Sequence, residues 1–186
     1  MDYLPLFADL KGRPCLVVGG GNVAARKIDL LLRAGADVTV VAPQVSDGVD
    51  ALVKAGQIQR ITRAYRDQDI ERQVLVIGAT NSIDVNRSVY ERCLEVNIPV
   101  NVVDQPALCT VIFPGIVDRS PVLAAVSTGG RSPTLARIVR GWLEMRLPSR
   151  LGELAEFAAK HRSQVKKAIS NPTSRRLFWE QLLQGP

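Results

Sequence analysis

A chain of 186 residues, 46% hydrophobic and 23% charged, is long enough for one full domain with an appendage, and this composition excludes global disorder. Its net charge of +6 is uneven: residues 1–130 hold 13 Lys/Arg against 14 Asp/Glu, residues 131–186 hold 11 against 4, so the last third is the part that would attract an anion. No apolar run approaches the roughly 18 to 20 residues needed to cross a bilayer, and the start, MDYLPLFADLKG, lacks the basic leader of a secretory signal, which points away from a membrane.

In chain order, CLVVGGG (15–21) is a strand broken by three glycines, and NVAARKIDLLLRAGA (22–36) follows with helical spacing. DVTVVAP (37–43) is the second strand, SDGVDALVKAG (46–56) a short helix and QIQRITRAY (57–65) a third strand. QVLVIGAT (73–80) is an unbroken apolar run of the kind buried on both faces of a sheet. Asn81 or Ser82 caps a helix over 83–96, and IPVNVVD (98–104) is the fifth strand. This alternation implies right-handed crossovers and a Rossmann-like, doubly wound parallel sheet over residues 1–113.

The texture changes afterwards. TVIFPGIVDRSPVLAAVSTGG (110–130) holds two strand-like runs around a polar turn at Asp118–Ser120. Ser132 caps, and Pro133 opens, a helix to Leu147. Two further helices cover 151–170 and 173–184. The expected division is a small α+β element at 114–149, a candidate dimerisation region, and a helical C-terminal region at 150–186. The aromatics Trp142, Phe157, Phe178 and Trp179 fall at helix-core spacing.

Gly19-x-Gly21-x-x-Ala24 lies between the first strand and helix. Gly19 permits the tight turn, Gly21 lets backbone approach a pyrophosphate and Ala24 lets the helix pack closely on the sheet. An anion there meets the positive end of the helix dipole. The second strand ends in Ala42-Pro43-Gln44, with neither a carboxylate for a ribose nor an arginine for a 2′-phosphate. NAD is therefore favoured over NADP, with Ala42, Pro43 and Gln44 serving the ribose. Small residues in GATNS (78–82), Thr80 among them, let a ligand lie across the carboxyl edge of the sheet.

LPLFADLKGRPCLVVGGGNVAARKIDLLLRAGADVTVVAP, NVVD, FPGIVDRSPVLAAVSTGGRSPTLARIVR and RRLFWEQ resemble, over essentially the whole chain, the N-terminal module of siroheme synthase. That family is bifunctional, a precorrin-2 dehydrogenase and sirohydrochlorin ferrochelatase. The resemblance implies NAD as cofactor, Fe²⁺ as substrate and a tetrapyrrole partner. It also implies a homodimer and, in the full fusion, a uroporphyrinogen methyltransferase domain. It places Asn22 and Val23 at the cofactor and makes the acid after NVV, Asp104, the catalytic aspartate for both steps.

Oxidising precorrin-2 removes a hydride and a proton, and inserting Fe²⁺ releases two pyrrolic protons, so one carboxylate can assist both. Asp104 ends a strand at the edge where open α/β sheets bind ligands, although Pro106 beside it also suits a plain turn acid. Asp118 reads as a turn acid. The substrate's carboxylates suit Arg131, Arg137, Arg140 and Lys166-Lys167. Ser127, Thr128 and Gly129, where some members read SSGG, suit a backbone pocket for one carboxylate. His161 reads as a surface residue, Cys15 and Cys93 as core and Cys109 as a buried thiol. Scattered cysteines with no C-x-x-C pair argue against a disulfide framework and for a reducing, cytoplasmic setting. No resting metal site is expected, only transient Fe²⁺ near Asp104. Two narrower readings are a dehydrogenase without chelation and a cobalt-inserting member. From another class comes an NAD-sensing DNA-binding regulator, but no helix-turn-helix is legible in residues 131–186, so no nucleic acid partner is expected.

Overall fold

The computed structural model describes residues 2–184 of the chain. The contacts divide it into two units, Met1–Phe113 and Pro114–Pro186. In the first, β1 (Pro14–Val18), β2 (Asp37–Val41), β3 (Gln59–Ile61), β4 (Leu75–Gly78) and β5 (Val100–Val102) form a parallel sheet in the order β3-β2-β1-β4-β5. The chain moves outward from β1 to β3, then returns to the other side of β1 as β4, so the order reverses beside β1. That reversal is where a doubly wound sheet opens a crevice.

The period-two alternation of β1 sends Cys15 and Val17 to one face and Leu16 and Val18 to the other. The first face is covered by α1 (Asn22–Arg33) through Ala24, Ile28 and Leu31 and by α2 (Asp47–Lys54) through Val49. The second is covered by α3 (Ile83–Glu95) through Val89 and Cys93. Each fully buried aliphatic side chain contributes roughly 1.5–3 kcal/mol, so the two-sided core explains why the strands read as unbroken apolar runs. Cys15 and Cys93 are fully buried, and burial pushes their thiols up to about 11 and about 12. Ser82 caps α3, accepting from the Val85 N–H at 3.3 Å.

The third strand, Gln59–Ile61, is shorter than the expected 57–65. It leaves the sheet after Ile61, where the Arg63 N–H turns back onto the Ile61 carbonyl at 3.0 Å. The following segment is tied by Asp69, whose carboxylate accepts from both terminal nitrogens of Arg63 (2.8 and 2.6 Å) and from the Arg66 N–H (2.8 Å).

In the second unit, β6 (Gly115–Arg119) and β7 (Val122–Val126) form an antiparallel hairpin. The turn residues are Ser120 and Pro121, one step later than the sequence suggests. Asp118 and Arg119 belong to β6, and the Asp118 carboxylate holds the turn by accepting from the Ser120 N–H (3.0 Å) and hydroxyl (2.6 Å). Helices α4 (Pro133–Arg146), α5 (Leu151–Ala168) and α6 (Pro172–Gln184) follow. Arg119 donates to the carbonyls of Leu147 (3.2 Å) and Glu144 (3.3 Å), satisfying groups that the end of α4 leaves open. Gly152 lets α5 cross the hairpin turn, since a β-carbon there would sit 2.1 Å from the Ser120 carbonyl oxygen.

Two expectations change in this unit. Leu135, Ile138, Trp142 and Met145 form one stripe on α4 and are all exposed; Trp142 at 56%, Phe157 at 45% and Phe178 at 37% are not core side chains. His161 is half-buried rather than a plain surface residue. Its ring lies 4.5 Å from that of Phe157, and its Nδ1 is buried without a partner among the described residues.

Arg63 holds the Asp69 carboxyl below the usual carboxylate range, chiefly by side-chain hydrogen bonding. A carboxylate depressed in the folded state stabilises it above the unfolded pKa, and the gain is lost as pH falls through the folded value. Asp69→Asn is therefore expected to lower the thermal midpoint at neutral pH. The gap to wild type should close on acidification below about pH 4, as measured by calorimetry; a gap independent of pH would contradict this.

Candidate active site

Three residues, Gly19 to Gly21, join the end of β1 to the start of α1. Gly19 has φ +113°, and a β-carbon on it would lie 2.2 Å from the Ala79 carbonyl oxygen; its N–H donates to the Val41 carbonyl at 3.0 Å. Gly20 is as tightly placed, with a notional β-carbon 2.5 Å from Val45 Cγ1 and 2.6 Å from the Gln44 carbonyl oxygen. Gly21 differs: nothing of the protein lies within 4 Å of that position. Gly21 is the N-cap of α1 with no side-chain hydrogen bond, and the first turn holds no acid. The helix's leading N–H groups lack intrahelical partners, so this terminus suits an anion.

Gly19, Gly21, Ala42, Pro43, Gln44 and Thr80 line one cleft of about 550 Å³ at the carboxyl edge of β1, β2 and β4. Asn22 and Val23 open α1 beside it, exposed, without lining it. Ser46 also lines the cleft. Its N–H donates to the Gly20 carbonyl at 2.8 Å, while its hydroxyl oxygen is buried with no hydrogen-bond partner among the described residues. An open helix terminus, a bare Gly21 and an unanswered hydroxyl fit a dinucleotide bearing phosphates and ribose hydroxyls.

Two contributors to the cleft were not legible in the sequence. Asn86, 2% exposed, accepts from the Thr80 hydroxyl at 2.8 Å and donates through Nδ2 to the Thr80 carbonyl at 3.1 Å, fixing the loop after β4. Its signal was a polar residue on the buried face of a helix, three positions before Val89. Arg60 reaches across from β3 and donates to the Pro43 carbonyl at 2.9 Å. The second strand end therefore does have an arginine, supplied by the neighbouring strand through the pairing of Val40 with Arg60.

Asp104 lies outside this cleft but on the same sheet edge. Gly78 of β4 pairs with Val102 of β5, so Asp104 stands two residues past the ladder and one strand, roughly 5 Å, sideways from the Ala79–Thr80 loop. It is exposed and has φ +58°. That left-handed conformation costs a non-glycine residue about 1 kcal/mol and is held by surrounding structure. The Cys109 thiol supplies part of the hold: Sγ accepts from the Val102 N–H (3.3 Å), and its single proton is shared between the carbonyls of Val102 (3.2 Å) and Gln105 (3.3 Å), on both sides of the aspartate. Cys109 is half-buried, and burial raises its pKa. Lys27 on α1 was also missed. Its ammonium lies 4.3 Å from the centroid of the Phe113 ring. Burial lowers the pKa of Lys27, while the charge of Asp104 and then Cys109 act in the opposite direction.

The expected substrate residues lie in the second unit. Thr128 Oγ1 donates to the Ser132 carbonyl and accepts from the Ser132 N–H, both at 3.1 Å; the Ser127 hydroxyl accepts from the Gly129 N–H at 3.1 Å. Both hydroxyls thus shape the turn, and Ser132 caps α4 by accepting from the Leu135 N–H at 3.2 Å. Arg131 and Arg137 are exposed. Arg140 is engaged by Glu144. Lys166 is placed between α5 and α6, away from this turn. Among the described residues, no three or more His, Cys, Asp or Glu side chains gather as a metal site, and no helix is long and apolar enough to cross a membrane.

Fold and cleft together define a Rossmann-like dinucleotide-binding protein with an appended α+β and helical unit. Residues 6–115 match a protein family described as "Putative NAD(P)-binding", and residues 150–186 match one described as the sirohaem synthase dimerisation region. Siroheme synthases of Vesicomyosocius okutanii and Nitrosomonas europaea are each 49% identical to the chain, over 185 and 187 residues, and that of Thioalkalivibrio sulfidiphilus is 50% identical over 186. All of this chain is covered in each comparison, and 40%, 39% and 38% of the relative. The chain thus spans about two fifths of these relatives' length. A solved structure titled SirC, precorrin-2 dehydrogenase, superposes with a TM-score of 0.76 at 26% identity, covering 96% of this chain and 88% of that one. The chain belongs to the family described as putative NAD(P)-binding, and over its whole length it is similar to part of these siroheme synthases.

Gly19 and Gly21 should separate by experiment. Gly19→Ala is expected to lower the thermal midpoint and abolish dinucleotide binding, because the Ala79 carbonyl occupies the space. Gly21→Val is expected to keep the midpoint within a few degrees and weaken NAD⁺ binding about tenfold or more, read by calorimetric titration. Unchanged affinity in Gly21→Val would remove the pyrophosphate from this loop.

Proposed function

We propose that the chain oxidises precorrin-2 to sirohydrochlorin using NAD⁺ and then assists insertion of Fe²⁺ to give siroheme, with Asp104 as the shared base. The observation that carries the reading is the exposed aspartate held in a left-handed turn at the ligand edge, one strand from the dinucleotide cleft. Bound NAD⁺ would supply the hydride acceptor. Gly19–Gly21 and the open end of α1 would take its pyrophosphate, Ala42–Gln44 and Ser46 the adenosine ribose, and Thr80 would border the path toward Asp104.

The oxidation takes one hydride and one proton from the macrocycle, and the Asp104 carboxylate receives the proton. The carboxylate, open to solvent, releases that proton to water; in the second step, as Fe²⁺ enters, it takes up the two pyrrolic protons one after the other and passes each to water. Lys27 is a positioning residue: its half-buried ammonium, resting on Phe113, provides a fixed positive charge toward the aspartate and toward a substrate rich in carboxylates. Ser127, Thr128, Gly129, Arg131 and Arg137 would receive substrate carboxylates. Homodimerisation is supported by the dimerisation-region match over residues 150–186 and, separately, by the open apolar stripe on α4, which precedes that segment. Twice the chain mass by light scattering, reduced to one by Trp142→Glu, is the expected signature. A cytoplasmic setting fits the three free thiols. The dehydrogenase-only reading draws on the name of the solved relative, a precorrin-2 dehydrogenase.

Anaerobic turnover of precorrin-2 tests these roles. Wild type is expected to form sirohydrochlorin only with NAD⁺ and siroheme only when Fe²⁺ is added. Asp104→Asn should slow both steps by about 10²- to 10⁴-fold. Lys27→Met should lower turnover with NAD⁺ affinity retained, and Lys27→Arg should recover most of it. Full activity in Asp104→Asn would overturn its assignment, and NAD⁺-dependent oxidation without iron insertion would select the dehydrogenase-only reading.

A further inference from the structure

Between α5 and α6 lies a cavity of about 460 Å³ lined by Arg162, Lys166, Pro172, Arg175, Arg176 and Trp179. It shares no residue with the dinucleotide cleft or with the turn at 127–132. Four of its six lining residues are cations, and none of those described is a carboxylate. Arg162 and Lys166 stand one turn apart on α5, where like charges repel, and Arg175 and Arg176 line the same cavity from α6.

The cluster is shaped as well as charged. Arg175 donates to the Ile169 carbonyl at 3.0 Å, which fixes its guanidinium at the helix junction. Arg176 has one acidic neighbour, with Nε 3.5 Å from Glu180 Oε1, and both side chains remain well exposed. Trp179 and Pro172 add an apolar wall. Guanidinium groups form paired hydrogen bonds to carboxylate and phosphate oxygens, and converging cations offset repulsion among the charges of a multivalent anion. A nucleic acid duplex would call for an extended basic stripe along its phosphates; a concave cluster of this size suits a small molecule.

We propose that this cavity binds a compact polyanion, a small molecule carrying two or more carboxylate or phosphate groups. The site accounts for four of the eleven basic residues in the strongly positive last third. It is independent of the catalytic reading and stands or falls without it.

Trp179 is one of two tryptophans, so in a Trp142→Phe background its emission reports on the cavity. The full chain is titrated with citrate and, separately, with pyrophosphate, at ionic strength held constant with sodium chloride. A saturable change in Trp179 emission with either probe is expected, and the stronger binder identifies carboxylate or phosphate as the preferred group. Adding Arg162→Gln and Lys166→Gln, both exposed on α5, should raise the dissociation constant about tenfold or more. Lys167→Gln, the loss of one charge on the same helix outside the cavity, should leave it unchanged, and NAD⁺ affinity should stay constant throughout. Circular dichroism and the thermal midpoint check that each variant is folded. No saturable response to either probe would overturn the proposal. So would equal weakening by Lys167→Gln, or undiminished binding by the folded double variant.

Discussion

The carbonyl oxygen of Ala79 lies where a β-carbon on residue 19 would have to be, at a notional 2.2 Å. This close approach of two backbone segments sets the geometry of the first unit. It lets the chain leave β1, turn at φ +113° and start α1 within three residues, directly over the end of β4. The β1–β4 boundary is also where the strand order reverses. One glycine thus places a helix N-terminus at the crevice of the sheet, and Gly20, pressed on Val45 and Gln44, closes the crevice on the β2 side.

The remaining site elements follow from that placement. With the β1–β4 edge fixed, Asn86 can hold Thr80 against it. The pairing of Gly78 with Val102 carries β5 to the same level. Asp104 emerges there in a backbone conformation that an unconstrained aspartate rarely adopts, and the Cys109 thiol bridges the carbonyls on either side of it. Strain held by surrounding bonds is a common way to fix the direction of a functional side chain. The same segment brings Phe113 under Lys27, so α1 contributes its open N-terminus at one end and a half-buried cation further along.

Local pattern carried much of this. The alternation of strand and helix, the glycine loop and the position of Asp104 after an apolar run all rest on neighbours in sequence. Asn86, Lys27 and Arg60 were not legible, because each acts on a residue brought close only by the fold: Thr80 from the loop before its helix, Asp104 from β5 and Pro43 from the adjacent strand. Helical periodicity also has a blind spot. It marked Trp142 as apolar-face, yet it cannot tell a stripe that packs within the chain from one left open on its surface. The hairpin turn shifted to Ser120–Pro121 for a comparable reason: Asp118 accepts from Ser120 and so serves the turn from inside the strand.

The central claim is that the glycine-loop crevice and Asp104 serve one reaction. A crystal structure of the chain with NAD⁺ tests it most directly. The pyrophosphate is expected against the N–H groups that open α1, the adenosine ribose beside Ala42–Gln44, and the nicotinamide on the β4–β5 side of the crevice, facing Asp104. A dinucleotide whose nicotinamide points away from β5, or one bound elsewhere on the chain, would contradict it.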